Sequence, residues 1–136
     1  MINKGNDMKL EHIAIWTKDL EKMQHFYVKY FSAKSNAKYE NQKKGFSSYF
    51  LTFTEGARLE LMQMNVIPES KNDSYLQAVG LTHIAFALES DEQVDQMTQR
   101  FELDGYEVID GPRRTGDGYY ESVILDPEGN RLEITA

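Results

Sequence analysis

Four residues of this 136-residue chain stand out because their types recur in matching places. Leu10-Glu11-His12-Ile13-Ala14 returns as Leu81-Thr82-His83-Ile84-Ala85, an offset of 71. Glu55-Gly56-Ala57-Arg58-Leu59-Glu60-Leu61 returns as Glu128-Gly129-Asn130-Arg131-Leu132-Glu133-Ile134, an offset of 73. One such match could be chance; two, in the same order and at nearly the same offset, point to a duplicated module of some sixty residues. The period is too long for a solenoid of short stacked units. A single glutamate in a strand is ordinarily a solvated side chain, and a single histidine ordinarily a hydrogen-bonded structural residue. Repetition changes that balance, because each half supplies one imidazole and one carboxylate at equivalent positions.

The chemistry of such a set is coherent. Neutral imidazole and carboxylate together suit one divalent ion, Zn²⁺, Ni²⁺, Co²⁺, Mn²⁺ or Fe²⁺, and leave coordination positions for water or substrate. His12, Glu60, His83 and Glu133 are therefore the candidate metal ligands. The third histidine, His25, falls in a helical stretch with no counterpart in the second half and reads as a surface residue.

Each pair needs two strands to carry it. Residues 10–16 alternate, with His12, Ala14 and Trp16 on one face and Ile13 and Ile15 on the other. In the later strand Glu60 shares a face with Arg58 and Met62, opposite Leu59 and Leu61; Glu133 shares one with Arg131, opposite Leu132 and Ile134. Between them a helix is expected over about 19–31, with Asp19 as N-cap and Leu20, Met23, Tyr27 and Tyr30 at helical spacing. Its counterpart opens on Ser90 with Gln93 three residues later, a capping-box pattern, continues through Val94, Met97 and Phe101, and stops at Gly105. Strands are expected at 36–41, 46–54 and 57–64, then at 81–88, 106–110, 119–125 and 131–135, with tight turns at Glu55-Gly56 and at 126–130. Each module is thus βαβββ. The expected organisation is one domain over 8–136, with module one at 8–65, a linker at 66–79 and module two at 80–136. Residues 1–7 form a disordered or extended tail.

Composition narrows the function. The chain is 40% hydrophobic and 27% charged, with no cysteine, so thiolate ligands, thiol nucleophiles and disulfides are excluded. A formal charge of −7 argues against a nucleic-acid partner, which requires a basic face. No apolar run is long enough for a membrane span, and residues 1–8 lack the apolar core of a signal peptide, so a cytoplasmic location is expected. Arg113, Arg114 and Tyr119, on the segment after Gly111-Pro112, could hold a polar small-molecule substrate. Gly116 and Gly118 would let that segment act as a lid, and a solvent-exposed hairpin is the competing reading.

These motifs together resemble the vicinal-oxygen-chelate superfamily, which includes glyoxalase I, bleomycin-resistance proteins and extradiol dioxygenases. The resemblance runs from Leu10 to Thr135. It implies an α+β fold of two tandem βαβββ modules forming a cupped, barrel-like mixed sheet around a metal, and a homodimer. Glyoxalase I uses His, Glu, His and Glu in the order of His12, Glu60, His83 and Glu133. Methylmalonyl-CoA epimerases carry Gln where this chain has Glu60; fosfomycin thiol transferases and extradiol dioxygenases use only three protein ligands. The four-ligand pattern therefore implies a lyase or isomerase that moves a proton next to a carbonyl through an enediolate. Glu133 would be the base and Glu60 the ligand that marks the subgroup. The alternatives are a ring-cleaving dioxygenase, a thiol transferase, or a non-enzymatic drug- or metabolite-binding dimer. One departure bears on substrate. Bacterial glyoxalase I proteins tend to have Arg four residues after the first histidine and Asn four residues after the first glutamate, both on glutathione. Here Trp16 and Met64 stand there, and neither can pair with a carboxylate.

Overall fold

The structure, a computed structural model, describes residues 4–136. It divides into two compact units, one ending at Glu69 and the other beginning at Ser70. A short 3-10 turn, Lys4–Asn6, precedes the first strand, and residues 1–3 lie outside the described part of the expected tail.

The first unit runs β1 (His12–Trp16), α1 (Leu20–Phe31), β2 (Lys34–Ser35), β3 (Tyr39–Asn41), β4 (Phe46–Thr52) and β5 (Arg58–Met64). Its sheet has the order β1-β5-β4-β2, with β3 also paired to β4. β1 and β5 are parallel and the remaining pairs antiparallel. The Asp19 carboxylate caps α1 by accepting from the Lys22 N–H, and Ser32 ends it in the left-handed conformation. Leu20, Met23, Tyr27 and Tyr30 are buried at helical spacing against Leu51, Leu59 and Leu61, the alternating inner residues of β4 and β5. Of the strand expected at 36–41 only β3, at 39–41, forms, and β2 ends just ahead of it at Ser35. The cause is Asn36, whose side-chain oxygen takes the Phe50 N–H at 2.8 Å in place of a ladder bond.

The second unit runs β6 (His83–Ala87), α2 (Asp91–Leu103), β7 (Val108–Arg114), β8 (Tyr120–Leu125) and β9 (Arg131–Thr135), with sheet order β6-β9-β8-β7. β6 and β9 are the parallel pair. Ser90 Oγ accepts from the Gln93 N–H, and the Gln93 side chain reaches back to accept from the N–H of Glu89, the residue before the cap. Val94, Thr98 and Phe101 pack on Ser122, Ile124, Leu132 and Ile134. The Thr98 hydroxyl is satisfied inside that core by the Val94 carbonyl and Ser122 Oγ. Residues 70–79 belong to this unit. Ser74 Oγ donates to the Gly129 carbonyl at 2.7 Å, and Arg131 Nη1 donates to the Ser74 carbonyl at 2.9 Å.

β7 continues four residues past the end expected at 110, because Gly111 carries a bulge rather than a stop. Asp110 lies opposite Val123 and Arg113 opposite Glu121, so three steps on β7 match two on β8. The extra residue puts Asp110 and Arg113 on the same face. Only glycine fits there: φ is +79°, and a Cβ would come within 2.5 Å of the Glu121 carbonyl oxygen. Together the two units are α+β, each an open mixed sheet with one helix on one face. Among the described residues no helix is long and apolar enough to cross a membrane.

Candidate functional site

In both units the parallel strand pair puts a histidine and a glutamate on the face turned away from the helix. In β1/β5, His12 lies beside Arg58 and Ala14 beside Glu60; in β6/β9, His83 lies beside Arg131 and Ala85 beside Glu133. Each histidine therefore reaches diagonally to its glutamate. His12 Nε2 is 3.6 Å from Glu60 Oε1, and His83 Nε2 is 3.2 Å from Glu133 Oε2. The exposures match as well: the imidazoles are 38% and 36% exposed and the carboxylates 15% and 19%. Behind the His12 ring the Glu11 carboxylate stands 3.5 Å from Nδ1 and is itself held by Arg58. Hydrogen bonds from Arg58 also keep the Glu11 carboxyl below the usual carboxylate range.

The fit of a divalent ion can be tested on these distances. Two donors each about 2.1 Å from one ion, in tetrahedral or octahedral geometry, lie about 3.0–3.4 Å apart. The His83–Glu133 separation falls within that range and the His12–Glu60 separation just beyond it. Both pairs thus have the donor types of one edge of a coordination polyhedron, and His83–Glu133 has its spacing as well. Among the described residues no group of three or more His, Asp or Glu side chains that could hold a metal ion is found.

Around the matching pairs the two faces differ. Glu60 has Phe50 as its neighbour across the ladder, and Met62 lies between Trp16 and Ser48. The Phe50 ring meets His12 edge-on at 5.2 Å and carries the Arg58 guanidinium at 4.2 Å; Trp16 meets Phe46 edge-on. Met64 pairs with Phe46 at the end of the same face. This surface is aromatic and apolar.

The second unit's face is polar. The residues equivalent to Ser48 and Met62 are Glu121 and Thr135, which lie directly opposite each other. The Glu121 carboxyl is pushed up to about 7, first by its hydrogen bond with Glu133 and then by burial and the charge of Glu133, against the opposing pull of Arg113. Arg113 holds Asp110 at 2.9 Å, and that bond keeps the Asp110 carboxyl low. Two buried polar atoms here have no partner: Arg131 Nε and Thr135 Oγ1.

Of the residues expected to contact substrate, Trp16 and Met64 are on the far face with Glu60, and Arg113 on the far face with Glu133. Arg114 is on the helix side, bonded to Asp91 of α2 and lying over the Tyr120 ring. Tyr119 is exposed at the end of a tight hairpin closed by Thr115, whose hydroxyl accepts from the Tyr119 N–H; this matches the hairpin reading of that segment. His25 is exposed on α1, as expected. Glu121, Thr135 and Asp110 had been missed. The repeat does not mark them, because the counterparts of Glu121 and Thr135 are Ser48 and Met62, and only the strand register sets Glu121 across from Thr135.

Comparison with known proteins agrees with this architecture. Residues 9–134 match the model of the glyoxalase/bleomycin resistance protein/dioxygenase superfamily, and the chain belongs to that superfamily. It is 28% identical to the uncharacterised protein YqjT of Bacillus subtilis, over 93% of this chain and 98% of that one. A glyoxalase family protein from Enterococcus faecalis has a similar fold, with a TM-score of 0.74 at 24% identity, covering 94% of this chain and 97% of that one. So does the trypanothione-dependent glyoxalase I of Leishmania major, with a TM-score of 0.73 at 19% identity, over 94% and 86% respectively. Members of the superfamily commonly use a divalent metal.

Proposed function

We propose that the protein is a metal-dependent, glyoxalase-like lyase or isomerase that moves a proton next to a carbonyl, in the cytoplasm and as a homodimer. The observation that carries this reading is the duplicated His–Glu pair, at 3.6 Å and 3.2 Å on equivalent strands. His12, Glu60, His83 and Glu133 would supply four donors in all to a divalent ion. A bound ion would contribute Lewis acidity toward the substrate's oxygens. Two carboxylates among the donors balance its charge.

Glu133 is the proposed base. It takes the proton from the carbon beside the carbonyl and returns it to the neighbouring carbon. Its surroundings differ from those of Glu60: Glu121 and Arg113 interact with it, whereas Glu60 is bordered by Phe50 and Met62. Arg113 would meet the polar part of a substrate, with Tyr119 and Arg114 on the adjoining hairpin. Trp16 and Met64 would meet an apolar part, which disfavours glutathione as the thiol carrier.

The test is to follow deuterium exchange at the carbon beside the carbonyl. Hemithioacetals of methylglyoxal with several small thiols would be offered to metal-loaded protein in heavy water. Exchange with at least one of them, lost on His83→Ala, is expected; no exchange with any would reject the reading. The aromatic face favours one competitor, a non-enzymatic protein that binds a flat aromatic compound. Tight binding of such a compound to metal-free protein, with no exchange chemistry, would select it.

A further inference from the structure

Three aromatic side chains on the far face of the first unit lie outside its core. Trp16, Met62, Ser48 and Tyr39 form one row across β1, β5, β4 and β3, and Phe46 stands one step along β4 on the same face. The row is tall at its two ends and low in the middle, where Ser48 is buried. Trp16 is 43% exposed and Tyr39 54%. Neighbouring rings left this open ordinarily mark a binding surface.

The rings converge. Two strand spacings, about 9.5 Å, separate the backbones of β1 and β4, yet Trp16 reaches over Met62 to meet Phe46 edge-on. Their centroids are 6.1 Å apart and their planes at 88°. Tyr39 comes to Phe46 from β3, on the other side of β4, at 6.0 Å and 60°. Steeply angled walls make a corner and not a slot. A flat ligand stacks on a ring in a parallel, offset way, so it can lie against only one of these walls. A rounded group resting at Phe46 meets aromatic surface on three sides.

The faces of aromatic rings attract cations. This face already shows it: two residues along β4 from Ser48, Phe50 carries the Arg58 guanidinium at 4.2 Å. Charge agrees, because the Glu60 carboxylate stands one step along β5 from Met62 on the same face and the chain's formal charge is −7. Lys43 and Lys44, in the turn before β4, are exposed, and their repulsion is screened by solvent. A primary ammonium is a poor occupant, since it is strongly hydrated and has three N–H donors to satisfy. A quaternary ammonium has no such donor, and its methyl groups suit the rings.

We propose that Trp16, Phe46 and Tyr39 form an aromatic corner that binds the quaternary ammonium group of a small molecule. That this molecule is the substrate rests on the proposed function, in which Trp16 meets an apolar part of it; that the corner binds the group does not.

The experiment is therefore run on metal-free protein, in the presence of a chelator. Tetramethylammonium is titrated and its methyl resonance followed by proton NMR, in parallel with the emission of Trp16, the chain's one tryptophan. A saturable upfield shift is expected, with the emission changing over the same concentrations. Neopentyl alcohol, uncharged and of similar shape, should bind at least about twofold more weakly, as should phenol, which is flat. Phe46→Leu and Tyr39→Leu should each weaken binding by about two- to fivefold, the worth of one ring, and Tyr39→Phe should bind as wild type does. Tyr39→Leu alone decides the matter should Phe46→Leu not fold, because Tyr39 is the more exposed ring. Absence of a saturable shift, binding of either uncharged compound as tight as that of the cation, or affinity unchanged by the leucine substitutions overturns the proposal. A protein that bound tetramethylammonium but catalysed no exchange when metal-loaded would sink the proposed function and leave the corner standing; exchange without this binding would do the reverse.

Discussion

The two units of this chain carry the same His–Glu pair on the same strands, yet the floors around the pairs have opposite character. Glu60 faces Phe50 across the ladder, with Met62 and Trp16 beside it; Glu133 faces Val123, with Glu121, Thr135 and Arg113 beside it. Duplication gives each unit a built-in reference for the other. Both retain an imidazole and a carboxylate 3.2–3.6 Å apart; what differs is the residues around them. In the proposed account the apolar unit holds and shapes, and the polar unit handles the proton.

The largest expected effect breaks that division directly. Glu133→Gln keeps the side chain's size and an oxygen donor while removing its basicity, so kcat should fall by about two to four decades with metal retained. Glu60→Gln should lose less. Equal losses in steady-state rates would mean that the two carboxylates act as a unit, and a larger loss at Glu60 would reverse the assignment. Next in size is the substrate effect. Adding polar anchors to the apolar face, Trp16→Arg with Met64→Asn, should improve kcat/KM for the glutathione adduct of methylglyoxal by about one to two decades, the worth of a charge-assisted bond. Efficient turnover of that adduct by the unmodified protein would show the apolar face to be no barrier.

Two smaller effects sharpen the polar side. Gly111→Ala forces a Cβ against the Glu121 carbonyl at a φ of +79°, and should cost about 1–3 kcal/mol in chemical denaturation. Stability of the metal-free protein should also depend on pH through Glu121. Its folded carboxyl is raised from 4.5 to about 7, so the folded state holds the proton more tightly than the unfolded chain. That contribution is fully present below about pH 4.5 and is lost as pH rises to about 7. Glu121→Gln should remove this segment of the stability–pH curve, and an unchanged curve would mean that Glu121 and Glu133 do not share a proton.

Much of this was legible in the chain because duplication writes the same residue types twice. The helices and the face that each histidine and glutamate takes within its own strand follow from period and parity; the parallel pairing that sets His12 beside Glu60 and His83 beside Glu133 comes from the fold. Cross-strand partners do not follow from period and parity. Glu121 has no repeated residue to mark it, since its counterpart is Ser48, and its importance depends on a register that places it between Glu133 and Thr135. The Gly111 bulge was equally hidden, because Gly-Pro reads as a strand end, yet this bulge turns Arg113 toward Glu121 and Arg114 toward α2. Side-chain competition by Asn36 shortened to 39–41 a strand that alternation alone would run over 36–41.

The central claim is that the duplicated pairs hold a divalent ion, and metal content tests it most directly. Elemental analysis after purification and dialysis, on wild type, His12→Ala and His83→Ala, should give one metal ion per chain in wild type and strong loss in each variant. Comparable loss from the two variants would mean that both units contribute to holding the ion. A wild-type protein that retained no metal and took up none of zinc, nickel, cobalt, manganese or iron in titration would contradict the account, as would metal content unchanged by either substitution.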